Sequence, residues 1–250
     1  MPELPDVEIV RRKLRRWLGG QRIAAASTGD AYVARPGSTR AFGRALAGRR
    51  VVGVDRRGKW LRVRLDDGSR LFSHLGMTGD WVRVDAGAAP ERFERARIDL
   101  GERSVRYVDA RRFGRLLVAR DDVAEWRALG PDPLGGLDER ALAGAFAKSR
   151  RAVKEVLMDQ SVLAGVGNII ATEALWRARV DPRAPARRLS PRDVRAVARG
   201  IRGEIARELA GEHRFAVYGR RGHPCPRCHA KIRSVRLGGR TTAFCPSCQA

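Results

Sequence analysis

Four cysteines supply the first specific chemistry in this 250-residue chain, and all lie between residues 225 and 248. They form Cys225-Pro226-Arg227-Cys228 and Cys245-Pro246-Ser247-Cys248, with sixteen residues between the pairs. Each Cys-x-x-Cys knuckle presents two thiolates and two knuckles close a tetrahedron, so the spacing points to one structural zinc ion held by Cys225, Cys228, Cys245 and Cys248. Two disulfides or free thiols are the alternative, and His223 and His229 are near enough in sequence to be substitute ligands. The last forty residues carry eight Lys or Arg and one acid, Glu212. Such a ribbon meets phosphates, or is simply a solvated basic hairpin stapled by the metal; Arg240, in the turn Gly238-Gly239-Arg240, offers one phosphate a guanidinium under the first reading.

The second candidate is the start of the chain. Removal of Met1 ahead of the small Pro2 leaves a secondary amine beside the carboxylate of Glu3. An α-amino group has a pKa of about 7.7 to 8.0 against about 10.4 for lysine, so part of it is neutral and nucleophilic at pH 7. Attack on a sugar C1′ gives an iminium, an electron sink for elimination at the neighbouring carbons, with Glu3 moving the protons. Alone, Pro2-Glu3 is a two-residue coincidence.

Weaker signals lie between these ends. Gly165-Val166-Gly167-Asn168 opens a helix, where backbone N–H groups favour an anion such as a DNA phosphate; the plainer alternative is that Asn168 caps the helix. Only five of the 51 basic residues are lysines, which draws attention to Lys59 in Gly58-Lys59-Trp60-Leu61 and to Lys154, where an amine is needed or has survived by chance. The segments His74 to Gly79 and Asp109 to Gly114 each end a strand in glycine-bounded turns. Met77 and Phe113 there are either core residues or apolar tips that, beside Arg111 and Arg112, wedge into a base stack.

The elements that must position these residues follow from periodicity. Residues 4–18 place Val7, Val10, Leu14 and Leu18 on one stripe, begin with Pro5 and stop at Gly19-Gly20, which predicts an amphipathic helix. From about 21 to 120, short runs rich in Val, Leu, Ile and Tyr (50–54, 60–65, 71–74, 81–84, 96–100, 104–108, 115–118) predict an antiparallel sandwich or barrel. Gly130-Pro131-Asp132-Pro133 marks a boundary, followed by helices over 138–147, 150–159, 168–178 and 190–210, with strand-like runs returning from 214. The predicted class is α+β multidomain, with domains over 1–130, 131–213 and 214–250. A formal net charge of +23 calls for a polyanionic partner, nucleic acid before an anionic membrane surface, although the bias toward Arg also suits a GC-rich coding sequence. No apolar run nears the roughly 18 residues of a membrane helix, and the start has no secretory leader pattern, so a cytoplasmic protein without a membrane partner is expected.

Taken together, these pieces resemble the bacterial formamidopyrimidine-DNA glycosylase family, which includes the endonuclease VIII branch. The resemblance runs in order through Pro2-Glu3-Leu4-Pro5, Gly58 to Leu61, His74 to Gly79, Arg111 to Gly114, Leu129 to Leu134, Asp159-Gln160, Gly165 to Asn168, Glu173 to Leu175, Val217 to Gly219 and Cys245 to Gln249. It implies an N-terminal helix and β-sandwich, a helix-two-turn-helix domain and a C-terminal β-hairpin zinc finger. It also implies a bifunctional enzyme that flips a damaged nucleotide in duplex DNA, cuts the glycosidic bond and nicks the backbone by β,δ-elimination, acting as a monomer near the nucleoid. In that frame Pro2 is the Schiff-base nucleophile, Glu3 the general acid/base, and Lys59 a phosphate contact that assists. Asn168 and Arg240 grip phosphates; Met77, Arg111 and Phe113 fill the void in the duplex; Lys154 and Glu173 support the site; His74 and Arg112 fall among the DNA-contacting segments.

Ala110, Thr172 and His229 depart from the residues usual in the family. The link Gly211-Glu212-His213-Arg214 is shorter than the base-capping loop of members that prefer 8-oxoguanine, which leaves activity on oxidised pyrimidines or hydantoins as an alternative. The remaining alternatives are a zinc-containing binder of damaged DNA without turnover and a general basic nucleic-acid or ribosome-associated protein.

Overall fold

A computed structural model describes residues 2–35 and 37–249; Met1, whose removal the sequence predicts, lies outside them. The chain divides into two compact units, one of residues 1–2 and 6–127 and one of residues 3–5 and 128–250.

In the first unit, helix α1 (Leu4–Leu18) turns Val7, Val10, Leu14 and Leu18 into the core, as the stripe requires. It is followed by β1 (Ala25–Thr28), α2 (Thr39–Leu46), β2 (Val51–Arg57), β3 (Trp60–Leu65), β4 (Arg70–His74), β5 (Asp80–Asp85), β6 (Glu94–Asp99), β7 (Arg103–Val108), β8 (Arg115–Ala119) and the short α3 (Ala124–Arg127). Two four-stranded antiparallel sheets result, ordered β1-β6-β7-β5 and β2-β3-β4-β8. Inward residues of both, among them Leu61, Val63, Leu71, Trp81, Ile98, Val105 and Leu116, share one core with α1. Trp81 buries its ring there and donates its indole N–H to Ser73 Oγ at 3.0 Å, tying one sheet to the other.

All seven predicted strands form. Three elements escape the sequence pattern: β1, α2 and the single-turn α3, which is too short to show a period. Strand β1 is a run of small residues, Ala25-Ala26-Ser27-Thr28, with little hydrophobic alternation. Helix α2 interrupts the stretch read as purely β; it has only Phe42 and Leu46 to bury and Gly43 at its centre, and Ser38 starts it by accepting the Ala41 N–H.

The second unit contains α4 (Glu139–Ala147), α5 (Val153–Met158), α6 (Asn168–Ala178) and α7 (Pro191–Leu209), close to the four predicted helices. Ser190 and Asp193 form a reciprocal capping box at the start of α7. The helices enclose a core of Phe146, Leu157, Ile170, Leu175, Val197 and Ile201, which Leu4 also joins. Of the strand-like runs expected from 214, β9 (Arg233–Leu237) and β10 (Arg240–Phe244) form, as a hairpin; residues 214–232 are turns and coil shaped by Glu173 and by the knuckle, across which Pro224 and Lys231 make a single antiparallel bridge. Among the described residues, no helix is long and apolar enough to cross a membrane.

The two glycine-bounded loops of the first unit interlock. Gly76 adopts φ +64°, and a Cβ there would lie 2.4 Å from the backbone of Phe113. Gly76→Ala should therefore destabilise the protein by about 3 kcal/mol, combining left-handed strain with a clash that backbone cannot relieve. Gly48→Ala, at φ +79° with open space around it, should cost only about 1 kcal/mol. Urea unfolding of both variants by circular dichroism checks the contrast; equal midpoints would contradict the close approach.

Candidate functional site

At the N-terminus, Glu3 is buried and its carboxylate sits on the first turn of α6. Oε2 accepts from the backbone N–H groups of Gly167 at 3.0 Å and Ile170 at 3.1 Å, and Oε1 accepts from Ile169 at 2.8 Å. The anion-binding helix terminus anticipated at Gly165-Val166-Gly167-Asn168 is real, but its anion is this carboxylate rather than a phosphate. Nor does Asn168 cap the helix. It is the first helical residue; its Oδ1 accepts from Lys154 and its Nδ2 donates to the Thr241 carbonyl at 3.2 Å. The backbone permits this because Leu4 N–H donates to Gly165 O at 3.1 Å, while Gln160 holds the loop through Gly165 N–H and the Val166 carbonyl.

Lys154 lies on α5 without solvent exposure and gives hydrogen bonds to Asn168 Oδ1 and to Thr242 Oγ1, the latter at 2.6 Å. Burial, aided by the Arg240 charge and opposed by Glu3, brings its pKa down to about 8. Arg240 itself opens β10 and is exposed beside the Gly238-Gly239 turn, which Glu155 fixes by accepting the Gly238 N–H at 2.7 Å. Thus Glu3, Lys154, Asn168 and Arg240 converge through one network. Beside it lies a cleft of about 320 Å³, lined in part by Asn168, Tyr218, Arg221 and Thr241.

Glu173 is drawn away from that network. Fully buried on α6, it accepts N–H groups from Ala216, Val217 and Tyr218 at 2.8 to 2.9 Å and so fixes the segment after α7.

In the first unit, Lys59 occupies the two-residue Gly58-Lys59 turn between β2 and β3. That turn is tied to α1 through Arg56, which donates to the Gly58 carbonyl at 3.0 Å and to Glu8 at 3.2 Å. Burial would raise the Glu8 carboxyl, but hydrogen bonds from Arg11, Arg12 and Arg56 outweigh it and bring its pKa to about 2. His74, opposite Trp60 in the β3–β4 pairing, is held neutral; burial, then the charges of Lys59 and Arg115, lower its pKa to about 4. Its Nδ1 accepts the Gly76 N–H at 3.1 Å, which places the ring proton on Nε2.

Met77 and the loop of Arg111, Arg112 and Phe113 are assembled around buried Asp109. Its two oxygens bond Thr78 Oγ1 and the N–H groups of Arg111 and Gly114. Arg112, at φ +59°, pairs with Asp30 at 2.7 Å, while Arg111 lies 4.7 Å above the ring of Phe113. Phe113 is 48% exposed, so it is a surface tip rather than a core residue.

The four cysteine sulfurs lie within 4.8 Å of one another, with Cys225–Cys248 at 4.0 Å and Cys228–Cys245 at 3.4 Å. A tetrahedral zinc thiolate site implies sulfur separations of about 3.8 Å, whereas a disulfide needs about 2.0 Å. The set fits one zinc ion and excludes the disulfide alternative. His223 and His229 are exposed and outside the cluster.

The roles of Glu8, Arg56, Asp30 and Asp109 had no signal in the sequence, because each depends in part on a partner distant in the chain: Arg56 for Glu8, Arg112 for Asp30 and Thr78 for Asp109. Only the rarity of acids in so basic a protein hints at them.

Models of the family account for nearly all of the chain. The formamidopyrimidine-DNA glycosylase N-terminal domain matches residues 1–116, its H2TH domain matches 129–214, and the zinc finger found in FPG and IleRS matches 222–250. The chain belongs to the formamidopyrimidine-DNA glycosylase family. Glycosylases bearing that name from Thermus thermophilus and Moorella thermoacetica are each 41% identical, over 100% and 94% of this chain and 98% and 95% of theirs. Among solved structures, Lactococcus lactis Fpg in complex with DNA containing an abasic site superposes with a TM-score of 0.91 at 29% identity, covering 99% of both chains. MutM in complex with DNA containing carbocyclic 8-oxo-G gives 0.92 at 30% identity, again over 99% of both.

Lys154 gives this family member a pH signature. Its folded pKa lies below the ordinary 10.5, so between about pH 8 and 10.5 the unfolded chain binds the extra proton and stability from this group rises with pH. The penalty, about 3 kcal/mol, is fully present below pH 8. Wild type should therefore gain stability relative to Lys154→Met as pH rises through that window in denaturant titrations. A pH-independent difference would mean the buried amine is not depressed.

Proposed function

We propose that the chain removes oxidised purines of the formamidopyrimidine class from duplex DNA and then cuts the backbone at the abasic site. The observation that carries the mechanism is the Glu3 carboxylate, fixed by three backbone N–H groups one peptide bond from Pro2. A group held this way reorganises little during reaction, which is what a proton shuttle requires.

Pro2, freed of Met1, attacks C1′ as the glycosidic bond breaks and the base departs with the bonding electrons. Protonation of O4′ then breaks the C1′–O4′ bond and opens the sugar ring to an iminium, which acidifies the C2′ proton; loss of that proton expels the 3′ phosphate, and a second elimination releases the 5′ phosphate. Glu3 delivers and accepts protons in these steps. Lys59 contacts the phosphate near the lesion and assists, with neutral His74 beside it. Asn168 and Arg240 take flanking phosphates at the cleft of the second unit, and Lys154 and Glu173 hold that surface in shape. Met77, Arg111 and Phe113 occupy the gap left by the extruded nucleotide, and Arg112 braces their loop. One zinc ion on Cys225, Cys228, Cys245 and Cys248 holds the hairpin that carries Arg240. The reading includes domains over 1–130, 131–213 and 214–250, action as a monomer, and a cytoplasmic location on nucleoid DNA without a membrane partner.

A second substrate reading rests on the link between α7 and the segment fixed by Glu173. Only residues 210–214 separate Leu209 from Phe215, too few to fold over an extruded base, and this favours additional activity on oxidised pyrimidines or hydantoins. Excision rates on duplexes carrying each lesion discriminate the two.

Borohydride should trap the processed protein covalently on abasic DNA, and failure to form that adduct would falsify the Pro2 mechanism. Glu3→Gln should lower base removal by about a hundredfold or more while sparing most cutting at a preformed abasic site. Equal loss of both steps would remove Glu3 from its role as acid.

A further inference from the structure

Among the described residues, three large aromatic side chains are exposed, Tyr32, Phe93 and Phe113, and each carries an arginine on its ring. The Arg35 guanidinium lies 3.6 Å from the centre of Tyr32, Arg92 lies 4.7 Å from that of Phe93, and Arg111 stands at the same distance from Phe113. All three arginines are exposed, and none pairs with a carboxylate among the described residues. Arg112, in the loop of Phe113, is by contrast neutralised by Asp30.

The three pairs grow from one hydrogen-bonded frame in the first unit. Asp30 accepts the Tyr32 N–H at 3.0 Å and lies 3.8 Å from Arg95, which donates to the Asp109 carbonyl at 2.9 Å. Asp109 donates its own N–H to the Phe93 carbonyl at 3.0 Å, and its carboxylate holds the backbone of Arg111 and Gly114. Phe93 at φ +64° and Arg112 at φ +59° keep left-handed backbone that residues with side chains rarely adopt, so the frame is held against local preference.

A guanidinium stacked on a ring has its flat face covered while its in-plane N–H donors stay available, which suits bidentate recognition of a phosphate. The ring also orders the side chain beforehand and so lowers the entropy lost on binding. We propose that Arg35 on Tyr32 and Arg92 on Phe93 are two further phosphate receptors for duplex DNA, beside the tip formed by Arg111 and Phe113. This rests on the DNA-repair reading above and extends it: through Asp30 and Asp109 the shared frame couples the grip on the backbone to the position of the tip.

The test is equilibrium binding of the full-length, zinc-loaded protein to a duplex containing a tetrahydrofuran abasic analogue, over a range of salt concentrations. For the double variant Arg35→Gln/Arg92→Gln, the slope of log K against log salt should be shallower than that of wild type by about 1.8, at about 0.9 per phosphate lost, and affinity should fall about tenfold. Arg35→Lys/Arg92→Lys keeps the charge and gives up the stacking, so the slope should match wild type while affinity falls about threefold to tenfold. Tyr32→Leu/Phe93→Leu, which removes the rings and leaves both arginines, should behave like the lysine pair. A wild-type slope in the glutamine variant would overturn the contacts. Wild-type affinity in either the lysine or the leucine variant would reduce the pairs to general positive charge and overturn the stacked receptor. Failure of the wild-type protein itself to bind this duplex would instead sink the DNA-repair reading together with the receptors.

Discussion

The carboxylate of Glu3 resting on the first turn of α6 is the constraint around which the second unit is arranged. A helix N-terminus leaves backbone donors unsatisfied, and here they are consumed by a side chain from the other end of the sequence. For that to happen the loop before α6 must let Leu4 approach its backbone. A Cβ at Gly165 would lie 2.7 Å from the Leu4 side chain, so the glycine is a spatial necessity. The chain start, the Gly165–Gly167 loop and the helix are thus one structural object, which leaves Asn168 free to serve Lys154 and the hairpin.

Most of the protein's 51 Lys and Arg face solvent or one another's partners, and they say little about the fold. The 28 acids say more. Asp109 shapes the loop behind Phe113, Asp30 braces Arg112, Glu8 gathers Arg11, Arg12 and Arg56, Glu155 fixes the hairpin turn, and Glu173 pins three consecutive N–H groups. Each meets backbone donors or guanidinium groups, as a buried carboxylate must to stay charged. These acids of a strongly basic molecule thus sit where they fix backbone or gather guanidinium groups.

Periodicity revealed α1, the four helices of the second unit and seven of the strands, because in each the buried stripe is long enough to stand out from its neighbours. It failed at β1 and α2, where small residues and two isolated hydrophobes carry the burial, and at the four-residue α3. The cysteine spacing revealed the metal ligands in full, since two knuckles determine a tetrahedron locally. The Gly165–Asn168 signal was legible as an anion site, yet its occupant was not: the partner sits more than 160 residues away in sequence. Glu173 belongs to the same class, a side chain whose partners are met only once distant segments have come together.

The hairpin that carries Lys59 closes on two residues, with Arg57 directly opposite Trp60. In so short a connection, adding or deleting one codon would change the turn geometry and exchange the inner and outer faces of the strand that follows. Trp60, Leu61 and Val63 would be displaced from their pockets together with the amine. A change of length is better tolerated between elements, as in the 86–93 loop and the 210–214 link, so the reach of that lysine is an arithmetic property of the gene.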